Sequence, residues 1–130
     1  MIRTKSVKTT IEPRKDGLRI LAARLRGRGL STERYDVWMP NLGPSEHLLR
    51  AFQSGSIPWR EFRHRYREEL FEDGTIDRRN GTIKNHGQKF TLRLLQKLAE
   101  RSDITLLCHC VEDTQECHRH VLSEVLNGKI

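Results

Sequence analysis

Two short apolar runs constrain this chain more than any other feature. Leu18-Arg19-Ile20-Leu21-Ala22-Ala23 follows an Asp16-Gly17 turn and stops at Gly27-Arg28-Gly29. Ile104-Thr105-Leu106-Leu107-Cys108 lies some way beyond, after a polar stretch. Each is the length of a strand and too short for an independent helix, and each is bounded by turn or polar residues. The second is rich in β-forming residues. Both are expected to be buried strands. Arg3–Thr10 alternates weakly and is expected to form an edge strand.

Helical patterns fill the rest. Gly43-Pro44-Ser45 opens a short helix carrying Leu48, Leu49 and Phe52, and Gly55 closes it. In the next, Ser56 is a capping candidate and Pro58 suits the first turn. Trp59, Phe62, Tyr66 and Leu70 then fall on one stripe. From about Gln88 to Arg101, Phe90, Leu94, Leu95, Leu98 and Ala99 predict another amphipathic helix. A last helix is expected from about Gln115 to Leu126, with Val121, Leu122, Val125 and Leu126 inward and Gly128 at its end. The polar, glycine-containing stretch 72–86 reads as a long loop or mobile insert. The sum is an α/β domain spanning 1–130, with a small, mostly parallel sheet flanked by helices.

Composition excludes some classes. No apolar run approaches the roughly 20 residues that span a bilayer, and 32% of the 130 residues are charged. The first residues carry no hydrophobic leader. The three cysteines fall within ten positions of one another, a poor disulfide framework, so a reducing, cytoplasmic setting is expected. The net charge of +7 is concentrated: residues 1–35 hold ten basic and three acidic side chains, and the remainder balances to zero. Such a field favours phosphate-bearing ligands or nucleic acid, although it also serves solubility.

Chemistry is expected in Cys108-His109-Cys110-Val111-Glu112-Asp113-Thr114-Gln115-Glu116-Cys117-His118-Arg119-His120, where a strand gives way to a helix. In open α/β sheets, ligands bind outside the carboxyl ends of the strands. With Asp113 or Thr114 as cap, Cys117 would lie in the first helical turn, where the dipole, His118 and Arg119 favour a thiolate. Alternation along the strand places Cys108 and Cys110 on one face and His109 on the other. Cys108, Cys110, Cys117 and His118 could together supply a zinc shell, but their spacing matches structural zinc motifs poorly. No phosphate-cradling glycine loop and no H-E-x-x-H is present. Ordinary packing of small thiols is the competing explanation.

Arg24, Arg26 and Arg28 follow the first strand among glycines, and arginines grip phosphate bidentately. Arg119 is a further anion-binding candidate. Tyr35 and Trp38 come just after and could stack on a base. Glu69 is the likeliest carboxylate to face inward, as an arginine partner or a general base.

Together these features resemble a known family. The residues are Asp16-Gly17 with Ile20-Leu21, Arg24-x-x-x-Arg28-Gly29-Leu30-Ser31, Trp38, and Leu42 with Pro44-Ser45. The helix Trp59-x-x-Phe62-x-x-x-Tyr66-x-x-Glu69-Leu70 follows, then Leu106-Leu107-Cys108 and Cys117-His118-Arg119. In this order they resemble domain of unknown function 488, a bacterial and archaeal family. The resemblance implies a compact α/β domain and names no reaction.

Three readings follow. The first is an enzyme acting on a phosphate-bearing substrate, nucleotide or nucleic acid, with Arg24 and Arg28 holding phosphate and Cys117, His118 or Glu69 as reacting groups. The second is a non-catalytic nucleic-acid-binding module. The third is a metal-binding or thiol-redox protein built on Cys108, Cys110 and Cys117.

Overall fold

The computed structural model describes residues 1–72, 74–77, 80–85 and 87–130. In chain order its elements are β1 (Ile2–Ser6), α1 (Pro13–Asp16), β2 (Leu18–Leu21), β3 (Val37–Trp38), α2 (Glu46–Gln53), α3 (Trp59–Phe71), β4 (Gly74–Asp77), β5 (Asn80–Asn85), α4 (Lys89–Ala99), β6 (Ile104–Cys108) and α5 (His118–Leu126). Short 3-10 turns occupy Thr32–Arg34 and Pro40–Leu42.

Four strands form one sheet in the order β1-β6-β2-β3, and every pair is parallel. The two apolar runs are its central strands. Ile20 pairs with Leu106 and Leu21 with Leu107, while Ser6 pairs with Cys108 and Trp38 with Leu21. The carboxyl ends of all four strands therefore reach one edge together. At the opposite edge Gly17 is held at φ +61°, and a Cβ there would lie 2.1 Å from the Asp103 carbonyl oxygen. Only glycine lets β2 start this close to β6.

Strand alternation sorts the side chains into two clusters. Ile20, Ala22, Ile104 and Leu106 face α2 to α5, packing with Leu48, Phe62, Tyr66, Leu70, Leu92, Leu95, Val121 and Leu122. On the other face Val7, Leu21, Ala23 and Leu107 are covered by Leu30 and Tyr35, which belong to the segment between β2 and β3. Full burial of each such side chain stabilises by roughly 1.5–3 kcal/mol, so the helix-covered face dominates. The Tyr66 hydroxyl, wholly buried there, donates to the Leu42 carbonyl.

Several expectations need correction. Pro58, not Ser56, is the residue preceding α3. In α4 the inward residues are Leu92 and Leu95, whereas Phe90, Leu94 and Leu98 are exposed. Helix α5 starts at His118, so Cys117 precedes its first turn and neither Asp113 nor Thr114 caps it. The stretch expected to be a loop contains β4 and β5, an antiparallel pair with Gly74 opposite Asn85 and Asp77 opposite Asn80. Positions 73, 78, 79 and 86 of that stretch lie outside the described residues. No helix among the described residues is long and apolar enough to cross a membrane.

Candidate functional site

Cys108 ends β6 at the centre of the sheet's carboxyl edge, and the chain then loops through 109–116 to α5. Cys110 lies two residues into this loop, and Cys117 immediately precedes α5. The three sulfurs lie within 4.8 Å of one another. Cys108 and Cys117 are fully buried with their sulfurs 3.1 Å apart, and Cys110 is half-buried.

Arg119 explains why the cluster carries charge. Its side chain has no exposed surface. Nη1 donates to the Cys108 sulfur at 3.0 Å, and Nη2 donates to the carbonyl of Glu112 at 2.6 Å and of Val111 at 3.3 Å. The nearest carboxylate, Glu112, stands 3.8 Å off and is half exposed. A buried cation with so distant a counterion calls for a nearby anion. One thiolate shared among the sulfurs supplies it. The S–H groups of Cys108 and Cys117, then the charge of Arg119, hold Cys110 well below the usual thiol range. The same neighbours, with burial, push Cys117 up, and Cys108 rises beside Cys110.

His118 is buried and its Nε2–H donates to the Ala22 carbonyl at 2.5 Å. Burial lowers its pKa, so the ring stays neutral. That hydrogen bond leaves Nδ1 as the acceptor, 4.0 Å from the Cys117 sulfur.

Beside the sulfurs opens a cleft of about 200 Å³ lined by Arg24, Pro44, Leu49, His109, Cys110 and His118, among others. Of the three loop arginines, Arg24 thus shares a cleft with Cys110, whereas Arg26 and Arg28 do not line it. Arg24 Nε donates to the Pro44 carbonyl at 3.2 Å and Nη2 to that of Gly43 at 2.7 Å. His109 Nε2–H donates to Leu25 O at 3.0 Å, tying the loop down from the other side.

The three sulfurs lie close enough to hold a metal ion, with His118 Nδ1 nearby as a fourth donor. Two thiolates on one tetrahedral zinc stand about 3.8 Å apart, given Zn–S bonds of about 2.3 Å. The Cys108 and Cys117 sulfurs stand closer than that, at 3.1 Å, the spacing of a hydrogen bond between two thiols.

The family model for the active DUF488-N3 subclade, DUF488-N3a, matches residues 2–129. The chain belongs to this family. Curated relatives of the DUF488-N3a chain include uncharacterized protein Rv3073c of Mycobacterium tuberculosis (strain H37Rv) and uncharacterized protein Mb3100c of Mycobacterium bovis. Each is 26% identical over 130 residues, covering 98% of this chain and 95% of the relative. No solved structure matches it.

Other candidates of this DUF488-N3a chain lie elsewhere or are already engaged. Cys117, expected as a reactive thiolate, is buried and pushed up because it donates within the cluster. Arg119 faces loop carbonyls and a sulfur instead of an open anion site. Among the described residues Glu69 pairs with no arginine: its carboxylate accepts from the Ser45 backbone N–H at 2.9 Å and the Ser45 hydroxyl at 2.5 Å. Arg26 donates to the Leu30 carbonyl and the Tyr35 hydroxyl. Tyr35 packs on the cluster opposite the helices and does not line the cleft. The Trp38 indole N–H donates to Ala23 O at 2.7 Å while its ring is partly exposed. Arg28 is exposed and has no partner among the described residues. Sequence reasoning missed Cys110 as the sulfur at the cleft, and His109 beside it. The available signal was position, because both residues directly follow the apolar run ending at Cys108, where a strand gives way to a helix.

Proposed function

We propose that the chain is an enzyme that uses the Cys110 thiolate as a nucleophile on a substrate carrying a small anionic group, a phosphate being the best fit. The observation that carries this reading is the cleft that both Arg24 and Cys110 line. Arg24 spends its two hydrogen bonds on neutral carbonyls and has no ion pair among the described residues, so its charge is available to an anion. Cys110 alone among the sulfurs is half-exposed, and it carries the cluster's negative charge. Thiolates, not thiols, are nucleophiles.

In this reading Arg24 anchors the anionic group and Cys110 attacks the electrophilic centre next to it. His109 Nδ1 has no hydrogen-bond partner among the described residues and is placed to exchange a proton with the leaving group. His118 and Arg119 act as positioning residues, one fixed to β2 and the other to the 110–112 loop. A cleft this small admits the anionic group and leaves the bulk of a nucleotide outside.

Alkylation tests it. Cys110 should react with iodoacetate faster than with iodoacetamide, inorganic phosphate should protect it, and Arg24→Gln should lower the iodoacetate preference several-fold. An exposed-thiol rate with no preference for the anionic reagent overturns the reading. Intact-protein mass spectrometry against a panel of phosphorylated nucleosides then seeks the covalent intermediate, absent in Cys110→Ser.

A further inference from the structure

The corner holds three sulfurs where nucleophilic attack needs one, and the extra two are placed for a second chemistry. We propose that the cluster also reduces hydroperoxides, passing the resulting disulfide inward to the Cys108–Cys117 pair so that Cys110 is returned to its reduced state. This rests on Cys110 being the accessible nucleophile.

Access sets the first step. Cys108 and Cys117 are buried, so a small peroxide entering the cleft meets Cys110 first. The Cys110 sulfur attacks one peroxide oxygen and the O–O bond breaks. Sulfur is oxidised to a sulfenic acid, and the departing oxygen takes a proton and leaves as alcohol or water. A sulfenic acid with no thiol nearby proceeds to irreversible sulfinic acid. Here two thiols stand within 4.8 Å.

Cys117 is the resolving thiol. Cys108 is two residues from Cys110 on the same chain segment, and a bond between them would close a very small, strained ring. Cys117 comes from a separate segment. Its sulfur attacks the sulfenic sulfur, an S–S bond forms, and hydroxide leaves with the thiol proton as water.

Geometry then favours transfer. The Cys108 sulfur lies 3.1 Å from that of Cys117, and forming a bond of about 2.05 Å requires it to move only about 1 Å. Arg119 Nη1, 3.0 Å from the Cys108 sulfur, supports negative charge there as it attacks. The Cys110–Cys117 bond breaks, and the Cys108 thiol proton passes to the departing Cys110 sulfur or to water in the cleft, leaving Cys110 reduced. The exposed 109, 111–113 and 115–116 positions between the two bonded cysteines give the loop room to adjust. A dithiol reductant restores the starting state by exchange.

The test treats the full reduced protein with hydrogen peroxide, quenches with iodoacetamide and cleaves after glutamate. Cleavage at Glu112 and Glu116 separates Cys108 and Cys110 from Cys117. The expected product is a dithiothreitol-sensitive link between fragments 101–112 and 117–124, with Cys110 alkylated. Cys108→Ala should stop at a Cys110–Cys117 link, and Cys117→Ala at a dimedone-reactive sulfenic acid on Cys110. Cys110→Ala should oxidise at least about 10-fold more slowly, since only buried thiols remain. Sulfinic acid on wild-type Cys110 with Cys117 untouched overturns the relay, as does stoichiometric zinc shielding all three sulfurs. Fast alkylation of Cys110 without any link removes the relay and leaves the nucleophile; slow alkylation without oxidation removes both.

Discussion

A guanidinium with no exposed surface is costly unless nearly every donor finds an acceptor. Arg119 meets this with the Cys108 sulfur and the carbonyls of 110–112, leaving only Nε without a partner. It fixes the loop that carries Cys110 and balances the charge of the cluster. Arg119→Met is therefore expected to cost about 3–5 kcal/mol, because it strands a buried anion. Arg119→Lys should recover little, since an ammonium cannot reproduce the planar fork. Urea titration of both variants checks this. His118 makes a second prediction at this scale. Burial lowers its pKa in the folded state, so the unfolded chain binds a proton first as pH falls. Stability should drop from about pH 6.5 downward until the folded ring also protonates. His118→Gln should flatten the dependence of the urea midpoint between about pH 7.5 and about pH 5. An unchanged slope in the variant would show that His118 binds its proton equally well in the folded and unfolded chain.

Segments rather than single side chains decide where the cleft wall stands. Gly43 sits where the segment entering α2 crosses the end of β2, and a Cβ there would lie 2.4 Å from the Arg24 nitrogen and 2.8 Å from the Ala23 carbonyl carbon. Backbone of this kind cannot yield cheaply. Gly43→Ala is expected to cost about 1–3 kcal/mol by overpacking. It should also lower the iodoacetate preference of Cys110, because it displaces both carbonyls that hold Arg24. Normal stability and preference together would place that wall elsewhere. What was legible at this scale was short-range. The β2 and β6 runs and the α3 stripe were readable because each is a local pattern. Helix α4 was misread because Phe90, Leu94 and Leu98 repeat as regularly as Leu92, Leu95 and Ala99, and only the sheet decides which stripe turns inward. The β4–β5 pair escaped notice because each strand holds a single isoleucine among polar residues, too little for a period of two. At the site, Cys117 was favoured over Cys110 because its burial depends on α5 starting at His118, a boundary set by packing.

Charge can be judged only on the folded molecule. The first 35 residues carry the whole net charge, yet the fold occupies most of their cations. Arg3 pairs with Asp103, Lys5 with Asp16 and Arg19 with Asp36. Arg24, Arg26 and Arg34 donate to backbone carbonyls. Among the described residues, this leaves the side chains of Lys8, Arg14, Lys15 and Arg28 unpaired. They do not form one stripe. Lys8 and Arg28 follow the carboxyl ends of β1 and β2, whereas α1, which carries Arg14 and Lys15, leads into Gly17 at the opposite sheet edge beside Asp103. A rigid duplex therefore meets about two of the four at once, and counterion release sets the slope of log affinity against log salt at about −0.9 per neutralised phosphate. A slope near −2, and no steeper than about −4, is expected for generic duplex DNA. Fluorescence anisotropy across a salt series measures it. A much steeper slope would require the bound arginines to leave their carbonyls for phosphate, which would favour the nucleic-acid-binding reading over an enzyme that takes a small anionic group into its cleft.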